Sequence, residues 1–288
     1  MADVIVVGCG PAGISAALYT ARAGLGTLIV GKPGGALAKT EKIENYYGFA
    51  EPVSGRTLIE NGLAQAKRVG AGFVEDEAVG LSWDEVFSVS TASAAVYRAP
   101  YVVLATGAQR RTPPIKGVSE FEGRGVSYCA VCDAFFYRKK NVAVLGAGSY
   151  ALHEAETLLP VVASVTILTD GAEPAAEFPP EMKIEKRKIR ELFGGKALEG
   201  VRFEDGTALK ADGVFIAIGV AGSVDLARKI GAETNGSSIT VGADRQTNVP
   251  GLYAAGDCTG GLLQISKSVC DGAVAGTSIV KAFHRRKP

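Results

Sequence analysis

The sequence predicts an α/β fold with two Rossmann-like nucleotide-binding domains of the three-layer ββα type, the second inserted into the first. Three observations support this prediction. The chain opens with a strand, a glycine-rich turn and a helix, and the same order returns from Asn141. The proline pair Pro113 and Pro114 interrupts the chain after the strand YVVLATGA. The segment RQTNVPGLYAAGD, from Arg245, then supplies a strand with which the first domain resumes.

The composition limits the classes of function. A chain of 288 residues is long for one core, and 47% hydrophobic residues indicate a globular protein. A net charge of +1 argues against nucleic acid as the main partner. We expect no membrane span, because no apolar run reaches roughly 18 residues, and no signal peptide. The five cysteines lack the spacing of a disulfide framework, so we expect a protein of the reducing cytoplasm.

Hydrophobic runs and breaker residues predict the elements of the first domain. DVIVVG is a β-branched run typical of a parallel strand buried on both faces. The first helix is expected to end at Gly24, a second to cover Ser54–Gly70 and a closing helix to cover Ser266–Phe283. The other predicted strands of this domain are TLIV, FSVST, AVYRA, YVVLATGA and LYAAGDC.

A weak internal repeat marks the second domain. It consists of the strand NVAVLG, a glycine turn, the helix ALHEAETLL and the strand SVTILT, with further strand signals over residues 181–218. We therefore predict a first domain of residues 1–112 and 246–288 and an inserted domain of residues 113–245. Hinges are expected near the proline pair and near Asp244.

The first glycine-rich turn predicts a dinucleotide site. Gly8, Gly10 and Gly13 have the G-x-G-x-x-G spacing, with a strand before and a helix after. The helix start offers amide donors to a pyrophosphate. A glycine turn without a ligand is the alternative, and the strand–turn–helix context favours binding. The acid that usually ends the second strand is missing, because Gly31 and Lys32 follow TLIV. The adenosine end must therefore be held by backbone or by other residues.

The spacing Cys129-Ala-Val-Cys132 predicts a redox pair. Two cysteines three residues apart at a helix start can close a small disulfide, and the helix start favours a thiolate. Half of a zinc or iron–sulfur site is the alternative, and it needs two further ligands. No second C-x-x-C exists, so we favour the redox pair and expect no metal site; the other cysteines and the histidines are isolated, at Cys9, Cys258, Cys270, His153 and His284.

Asp133 follows the second cysteine. Its carboxylate can shuttle protons during thiol–disulfide exchange. It can equally be a helix-start carboxylate that the helix dipole favours. The sequence leaves both roles open.

Seven motifs give the chain a family resemblance. GCGPAG, PGGAL, KIENYYGF, ATGA, CAVCDAFF, RQTNVPGLYAAGDC and LLQIS occur in the order seen in low-molecular-weight thioredoxin reductases, and they cover nearly the whole chain. The resemblance implies an FAD-binding first domain, an inserted domain with the redox pair and a degenerate pyridine-nucleotide fold, a homodimer, and reduction of a thioredoxin-like protein.

The resemblance also implies roles for individual residues. Cys132 would face the flavin, Cys129 would attack the partner disulfide, and Asp133 would be the acid/base. Asp257 would lie at the ribityl chain. The family motif GGQL reads GGAL here, so Ala36 lacks the hydrogen bonds of the glutamine. The implied FAD contacts are Gly8, Gly10, Pro11, Ala12, Gly13, Gly31, Lys32, Gly35, Ala36, Leu37, Asn45, Ala78, Ala105, Thr106, Gly107, Gly256, Asp257, Gln264 and Ile265.

The second glycine turn keeps the fold signature without the residues for a 2′-phosphate. Gly146, Gly148 and Ala151 have the dinucleotide spacing. NADPH-using relatives carry a histidine and arginines after the next strand, whereas this place reads LTDGAEP. Asp170 would repel a 2′-phosphate, which arginines bind. Tyr150 replaces a small residue, and its ring could occupy the pyrophosphate space. We therefore do not expect NADPH as the electron donor.

Three electron donors stay open. The chain most resembles ferredoxin-dependent flavin thioredoxin reductases, so a ferredoxin is the favoured donor, and its acidity predicts a basic docking face. NADH is the second, with Asp170 as the ribose ligand. The third is a second flavin or another dinucleotide in the degenerate site. The candidate basic faces are Arg138-Lys139-Lys140, the run Lys183–Arg190 and the tail Arg285-Arg286-Lys287.

Two rival functions belong to other classes. A ferredoxin–NADP⁺ reductase has related architecture but lacks C-x-x-C, and this chain lacks the residues for NADP⁺. A flavin-binding redox sensor is the non-enzymatic rival. Loss of disulfide reduction on replacement of Cys129 would exclude the sensor.

Overall fold

The structure is a computed structural model that describes residues 2–107, 113–219 and 221–286, with the backbone alone at Ala36 and Arg286. It divides into two compact units. The first unit comprises residues 1–109 and 222–288, and the second comprises residues 110–221. Across the part of the chain that is described, no helix has the length and hydropathy needed to cross a membrane.

The strands are numbered in chain order. Those of the described residues are β1 Val4–Val7, β2 Thr27–Val30, β3 Gly72–Val74, β4 Ala78–Asp84, β5 Val86–Thr91, β6 Val96–Ala99, β7 Tyr101–Leu104, β8 Val126–Ser127, β9 Asn141–Leu145, β10 Ser164–Leu168, β11 Lys183–Glu185, β12 Ile189–Gly194, β13 Leu198–Phe203, β14 Ala208–Lys210, β15 Gly213–Ile216, β16 Thr234–Asn235, β17 Ser238–Ile239 and β18 Leu252–Ala254.

The α-helices are α1 Pro11–Arg22, α2 Gly35–Ala38, α3 Gly55–Arg68, α4 Ala130–Asp133, α5 Ser149–Leu158, α6 Ser223–Arg228 and α7 Ile265–Arg286. Short 3₁₀ helices cover Ala134–Tyr137 and Asp257–Thr259. Ser54 caps α3, because its side chain accepts a hydrogen bond from the Thr57 amide at 3.1 Å.

A five-stranded parallel sheet of order β18-β7-β1-β2-β3 forms the centre of the first unit. Val7 pairs with Val30 on one side and with Leu104 on the other, so β1, β2 and β7 end side by side. All four residues of β1 are buried, as expected for a strand covered on both faces. The carboxyl ends of these strands form the edge where α/β folds bind ligands.

Helices α1 and α7 pack closely in the first unit. Glycines permit this approach, because a Cβ at Gly272 would lie 2.1 Å from the Ala12 carbonyl oxygen and one at Gly276 2.7 Å from that of Ala16. Ile14, Ala17 and Ile279 are buried with strand residues in one hydrophobic core. The core therefore fixes α1, and with it the first glycine turn, against the sheet.

The second unit repeats the plan of the first. Its five-stranded parallel sheet has the order β11-β10-β9-β15-β8, and its own core is built around Val118, Phe203 and Val214. In each unit a three-stranded antiparallel sheet is inserted in the chain between two strands of the parallel sheet, β3 and β7 in the first unit and β11 and β15 in the second. These sheets are β4-β5-β6 in the first unit and β12-β13-β14 in the second. The predicted fold class of two Rossmann-like units is confirmed.

The second boundary differs from the predicted one. The predicted inserted domain, residues 113–245, ends 24 residues too late (245 − 221), since the second unit ends at residue 221. Residues 222–245 belong to the first unit because their side chains bond to it. Ser223 Oγ accepts a hydrogen bond from the Thr106 amide at 3.0 Å, and Lys229 Nζ donates to the Val79 carbonyl at 3.2 Å. The sequence gives no change of composition there to signal the boundary.

Asp271 lies at the centre of a buried charge network in the first unit. Its side chain is 1% exposed and pairs with Arg245 Nη2 at 2.7 Å and with Lys267 Nζ at 2.8 Å. It accepts a hydrogen bond from the Gly256 amide at 3.1 Å, and Lys267 Nζ donates to the Gly256 carbonyl at 2.7 Å. The network ties α7 to the loop that follows β18.

We expect Asp271→Ala to destabilise the protein by about 3 to 5 kcal/mol, because it leaves two cations without their buried counter-charge. The midpoint of thermal unfolding should then fall by roughly ten degrees. Asp84→Ala, which removes an exposed carboxylate at the end of β4, is the matched control. Equal midpoints for the two variants would show that the network does not stabilise the fold.

Candidate functional site

The first glycine turn has the geometry of a dinucleotide site. Gly8 has a φ of +113°, and a Cβ there would lie 2.4 Å from the Ala105 carbonyl oxygen. A Cβ at Gly13 would lie 2.0 Å from the Gly8 carbonyl oxygen. Gly10 instead faces open space, with no atom within 4 Å of a Cβ, and it precedes α1 without a side-chain cap. The outer glycines are therefore needed by the turn itself, and the middle one leaves room for a pyrophosphate.

The ends of the neighbouring strands meet this turn. A Cβ at Gly31, after β2, would lie 3.0 Å from the Cys9 amide nitrogen, and one at Gly256, after β18, would lie 2.8 Å from the Ala12 Cβ. Asp257 follows Gly256, and its Oδ1 accepts a hydrogen bond from Ser268 Oγ at 3.2 Å. The ends of β2 and β18 thus lie beside the start of α1.

The loop after β7 adds a polar cluster at the same edge. The Thr106 hydroxyl lies 2.8 Å from Ser223 Oγ and accepts a hydrogen bond from the Ser223 amide at 2.8 Å. Gly107 has a φ of +85° and faces open space. Ser223 lies in no motif, and the sequence analysis placed it in the inserted domain, so it was not predicted as part of this site.

The remaining predicted FAD contacts lie on the same unit. Asn45 Nδ2 donates to Gln264 Oε1 at 3.0 Å, which joins the motifs KIENYYGF and LLQIS. Lys32 Nζ lies 3.5 Å from Glu77 Oε2. The side chain of Ala36 lies outside the described part of the structure. The other contacts stand at element starts or within α2, with Pro11 in α1, Gly35 and Leu37 in α2, Ala78 in β4 and Ile265 in α7.

An acidic stretch at this edge was missed by the sequence analysis. Glu75, Asp76 and Glu77 follow β3, whereas the sequence search for an acid considered only the end of β2. The Gly31 amide donates to the Val74 carbonyl at 3.1 Å, so the two strand ends are adjacent. Burial, together with the charge of Glu75, raises the pKa of the Cys9 thiol to about 11. The edge therefore carries carboxylates, supplied by the third strand.

The redox pair lies in the second unit. Cys129 and Cys132 are joined by a disulfide with their Cα atoms 5.3 Å apart. Cys129 precedes the single turn of α4, and its sulfur lies 3.2 Å from the Cys132 amide. Cys129 is 5% exposed, whereas Cys132 is exposed. The predicted pairing of these cysteines is confirmed, and their separate roles stay predictions.

Asp133 is bonded to the backbone of the redox pair through a serine. Ser127 Oγ donates to Asp133 Oδ2 at 2.6 Å and accepts a hydrogen bond from the Cys129 amide at 3.1 Å. The Asp133 amide donates to the Cys129 carbonyl at 3.2 Å. Ser127 was missed, because a lone serine two residues before a cysteine is no signal. The arrangement holds the half-buried carboxylate beside the disulfide, where it can transfer protons.

Glu154, in α5, supports α4, the helix that follows Cys129 and is here called the redox helix. Its Oε2 accepts a hydrogen bond from the Ala130 amide, the first of α4, at 2.8 Å, and the residue is 1% exposed. The sequence analysis counted Glu154 only as part of a helix. Its signal was an acid on the apolar side of that helix, beside Ala151, Ala155 and Leu158.

Apolar and basic side chains surround the disulfide on the surface. Phe135 is 70% exposed and Phe136 67%, and Val131, between the two cysteines, is also exposed. Arg138 lies 5.7 Å from the centre of the Phe135 ring. An exposed apolar patch of this kind suits contact with another protein.

The three other cysteines lie in the first unit, outside the disulfide. Cys258 is fully buried, and burial raises the pKa of its thiol to about 11, as it does for Cys9. Both thiols therefore stay protonated at neutral pH, where a thiol is a poor nucleophile. Cys270 is exposed on α7, in the first unit.

The second glycine turn is built like the first, but a later segment of the same chain, at Ala175, is hydrogen-bonded to it. A Cβ at Gly146 would lie 2.1 Å from the Ala217 carbonyl oxygen, and Gly148 precedes α5 without a side-chain cap. The Ala147 carbonyl accepts a hydrogen bond from the Ala175 amide at 2.7 Å. Tyr150 is 2% exposed. That its ring fills pyrophosphate space stays a prediction.

The end of β10 carries no free arginine pair for a phosphate among the described residues. Asp170 has a φ of +51°, and its Oδ1 accepts a hydrogen bond from the Ile189 amide at 2.7 Å. The neighbouring basic run is partly neutralised. Lys186 Nζ lies 2.5 Å from Glu173 Oε2, and Arg187 pairs with Glu185. Of the predicted basic tail, Lys287 and the side chain of Arg286 lie outside the described residues.

Comparison with known proteins agrees with this geometry. A family profile described as pyridine nucleotide-disulphide oxidoreductase matches residues 2–272. A thioredoxin reductase of Aquifex aeolicus is 38% identical over 88% of this chain and 84% of its own length. A thioredoxin reductase of Listeria monocytogenes is 35% identical over 99% of this chain and 95% of its own length.

Two solved structures resemble the whole chain. An atypical thioredoxin reductase from Desulfovibrio vulgaris Hildenborough has 42% identity, a TM-score of 0.93 and full coverage of both chains. A ferredoxin-flavin thioredoxin reductase from Clostridium acetobutylicum has 30% identity, a TM-score of 0.75 and 99% coverage of both chains. The chain therefore belongs to the pyridine nucleotide-disulphide oxidoreductase family and, within it, to the thioredoxin reductases, and it is an FAD-dependent disulfide reductase.

Proposed function

We propose that this enzyme reduces a thioredoxin-like protein with electrons from a one-electron iron–sulfur donor of the ferredoxin kind. Bound at the first glycine turn, FAD would pass the donor's electrons to the Cys129–Cys132 disulfide, and the two cysteines would reduce the disulfide of the partner. From the family resemblance we also propose that it is a cytoplasmic homodimer. The observation that carries the choice of donor is Asp170, whose carboxylate stands at the end of β10 where an NADPH-using enzyme needs arginines.

The surroundings of Asp170 support this choice. Two basic side chains of the run that follows, Lys186 and Arg187, pair with acids of the same unit. The Ala175 amide is bonded to the turn itself. The likeness to a ferredoxin-flavin thioredoxin reductase from Clostridium acetobutylicum points to the same donor.

NADH is less well supported than a ferredoxin. An NADH site needs the Asp170 carboxylate to accept hydrogen bonds from a ribose. One carboxylate oxygen already accepts from the Ile189 amide at 2.7 Å. That bond commits Asp170 to fixing the start of β12.

The chemistry at the disulfide follows from the two sulfurs. When bound, FAD can accept electrons singly from an iron–sulfur protein and deliver them as a pair. The disulfide takes up two electrons and two protons, its S–S bond breaks, and Cys129 and Cys132 become thiols. The Cys129 thiolate then attacks one partner sulfur and displaces the other, which takes a proton. The Cys132 thiolate attacks Cys129 Sγ, releases the reduced partner and restores the disulfide.

Because Cys129 is buried, a rearrangement is needed during the catalytic cycle before it can react with the partner. Cys129 is 5% exposed, and a buried sulfur cannot meet a partner disulfide. We propose that a hinge motion exposes Cys129 after reduction, as hinge motions do in other enzymes. Phe135 and Phe136 would then contact the partner, because they are exposed beside the pair.

The donor can be identified with the flavin-loaded protein under anaerobic conditions. We expect reduced ferredoxin to bleach the flavin and to yield thiols on an oxidised thioredoxin, because no pyridine nucleotide is required. The rate should fall as salt rises, since acidic ferredoxins dock on basic faces. Flavin absorbance and thiol content are the measurements.

NADPH and NADH, added in separate reactions, are the controls. Flavin reduction by NADPH would contradict the proposal. Reduction by micromolar NADH would instead make Asp170 a ribose ligand.

Asp133→Asn should slow turnover with thioredoxin by roughly a hundredfold, because a general acid/base contributes about that much. FAD content should not change, since the residue lies in the second unit. Asp212→Asn, an exposed aspartate of the same unit, is the matched control. Unchanged turnover in Asp133→Asn would remove this carboxylate from the chemistry and leave it only its structural hydrogen bond with Ser127.

A further inference from the structure

A buried carboxylate lies at the start of the redox helix. Glu154 is 1% exposed, and its Oε2 accepts a hydrogen bond from the Ala130 amide at 2.8 Å. Ala130 directly follows Cys129 and is itself fully buried. The carboxylate thus reaches the peptide next to the reactive sulfur from a different helix, α5.

A helix start normally stabilises a thiolate. Free amides at such a start lower the pKa of a cysteine placed there, and this favours the reduced, thiolate form. Here the first amide of α4 is engaged by Glu154. An anionic carboxylate at that place also repels a thiolate on Cys129.

We propose that Glu154 is a positioning residue whose negative charge shifts the equilibrium of Cys129 and Cys132 toward the disulfide. A pair that tends toward the disulfide is a stronger reductant for its partner, which suits an enzyme that reduces other proteins. The other carboxylate near the pair, Asp133, bonds to Ser127 and sits at the opposite end of α4. The inference rests on the redox role of Cys129 and Cys132 and is independent of the electron donor.

Glu154→Gln tests the charge, because the amide oxygen can still accept from Ala130. The flavin-loaded protein is equilibrated with mixtures of reduced and oxidised dithiothreitol at pH 9, where an ordinary cysteine is mainly a thiolate. Protein disulfide and dithiothreitol exchange to protein dithiol and oxidised dithiothreitol, so atoms and electrons balance. The dithiol fraction is counted as the mass added by alkylation.

We expect Glu154→Gln to favour the dithiol about tenfold more than the unaltered protein does, equal to about 30 mV for a two-electron couple. Glu156→Gln, at an exposed position on the same helix, should leave the equilibrium unchanged. Glu154→Met removes both the charge and the hydrogen bond, and it should shift the equilibrium in the same direction.

The outcomes separate a charge effect from an anchoring effect. An equilibrium in Glu154→Gln equal to that of the unaltered protein would overturn the proposal and leave Glu154 as a hydrogen-bonded anchor only. If Glu154→Gln does not fold, the direction of the shift in Glu154→Met decides, and a shift toward the disulfide would overturn it. Neither result depends on whether ferredoxin reduces the flavin.

Discussion

The close approach of Gly146 to the end of β15 is the constraint on which the redox centre depends. A Cβ at Gly146 would lie 2.1 Å from the Ala217 carbonyl oxygen, so only glycine lets α5 start so close to the sheet. Helix α5 carries Glu154, and Glu154 bonds to the first amide of the helix that bears the disulfide. The turn therefore positions the helix that supports the disulfide, whether or not it binds a nucleotide. This explains how its fold signature persists while the arginines for a 2′-phosphate are absent.

In the first unit the same kind of turn lies at an open edge of the sheet. The carboxyl ends of β1, β2, β7 and β18 lie along one edge, because their strands are parallel and in register. Gly10 leaves open space at that edge, and Asp257 reaches it from the loop after β18. Buried ion pairs of Asp271 hold that loop in place. One architecture thus leaves open space at the glycine turn of one unit and holds a disulfide in the other.

The sequence predicted most of what depends on short-range pattern. Residue spacing and hydrophobic period were enough to predict the strands and helices around both glycine turns, the internal repeat, and the pairing of Cys129 with Cys132. The second domain boundary was wrong, since Ser223 and Lys229 reveal their unit only through contacts with Thr106 and Val79. Glu154 and Ser127 were missed for the same reason: each acts across a long or unmarked separation that no motif encodes.

Electron uptake by the flavin-loaded protein shows directly whether FAD and the Cys129–Cys132 pair exchange electrons. The protein would be titrated anaerobically with a photochemically generated one-electron reductant while flavin absorbance and alkylated thiols are followed. We expect the unaltered chain to take up two more electrons than Cys129→Ser does, because a disulfide accepts a pair. Two new thiols should form in the unaltered chain. Equal uptake by the two proteins would show that the disulfide does not accept electrons from the flavin.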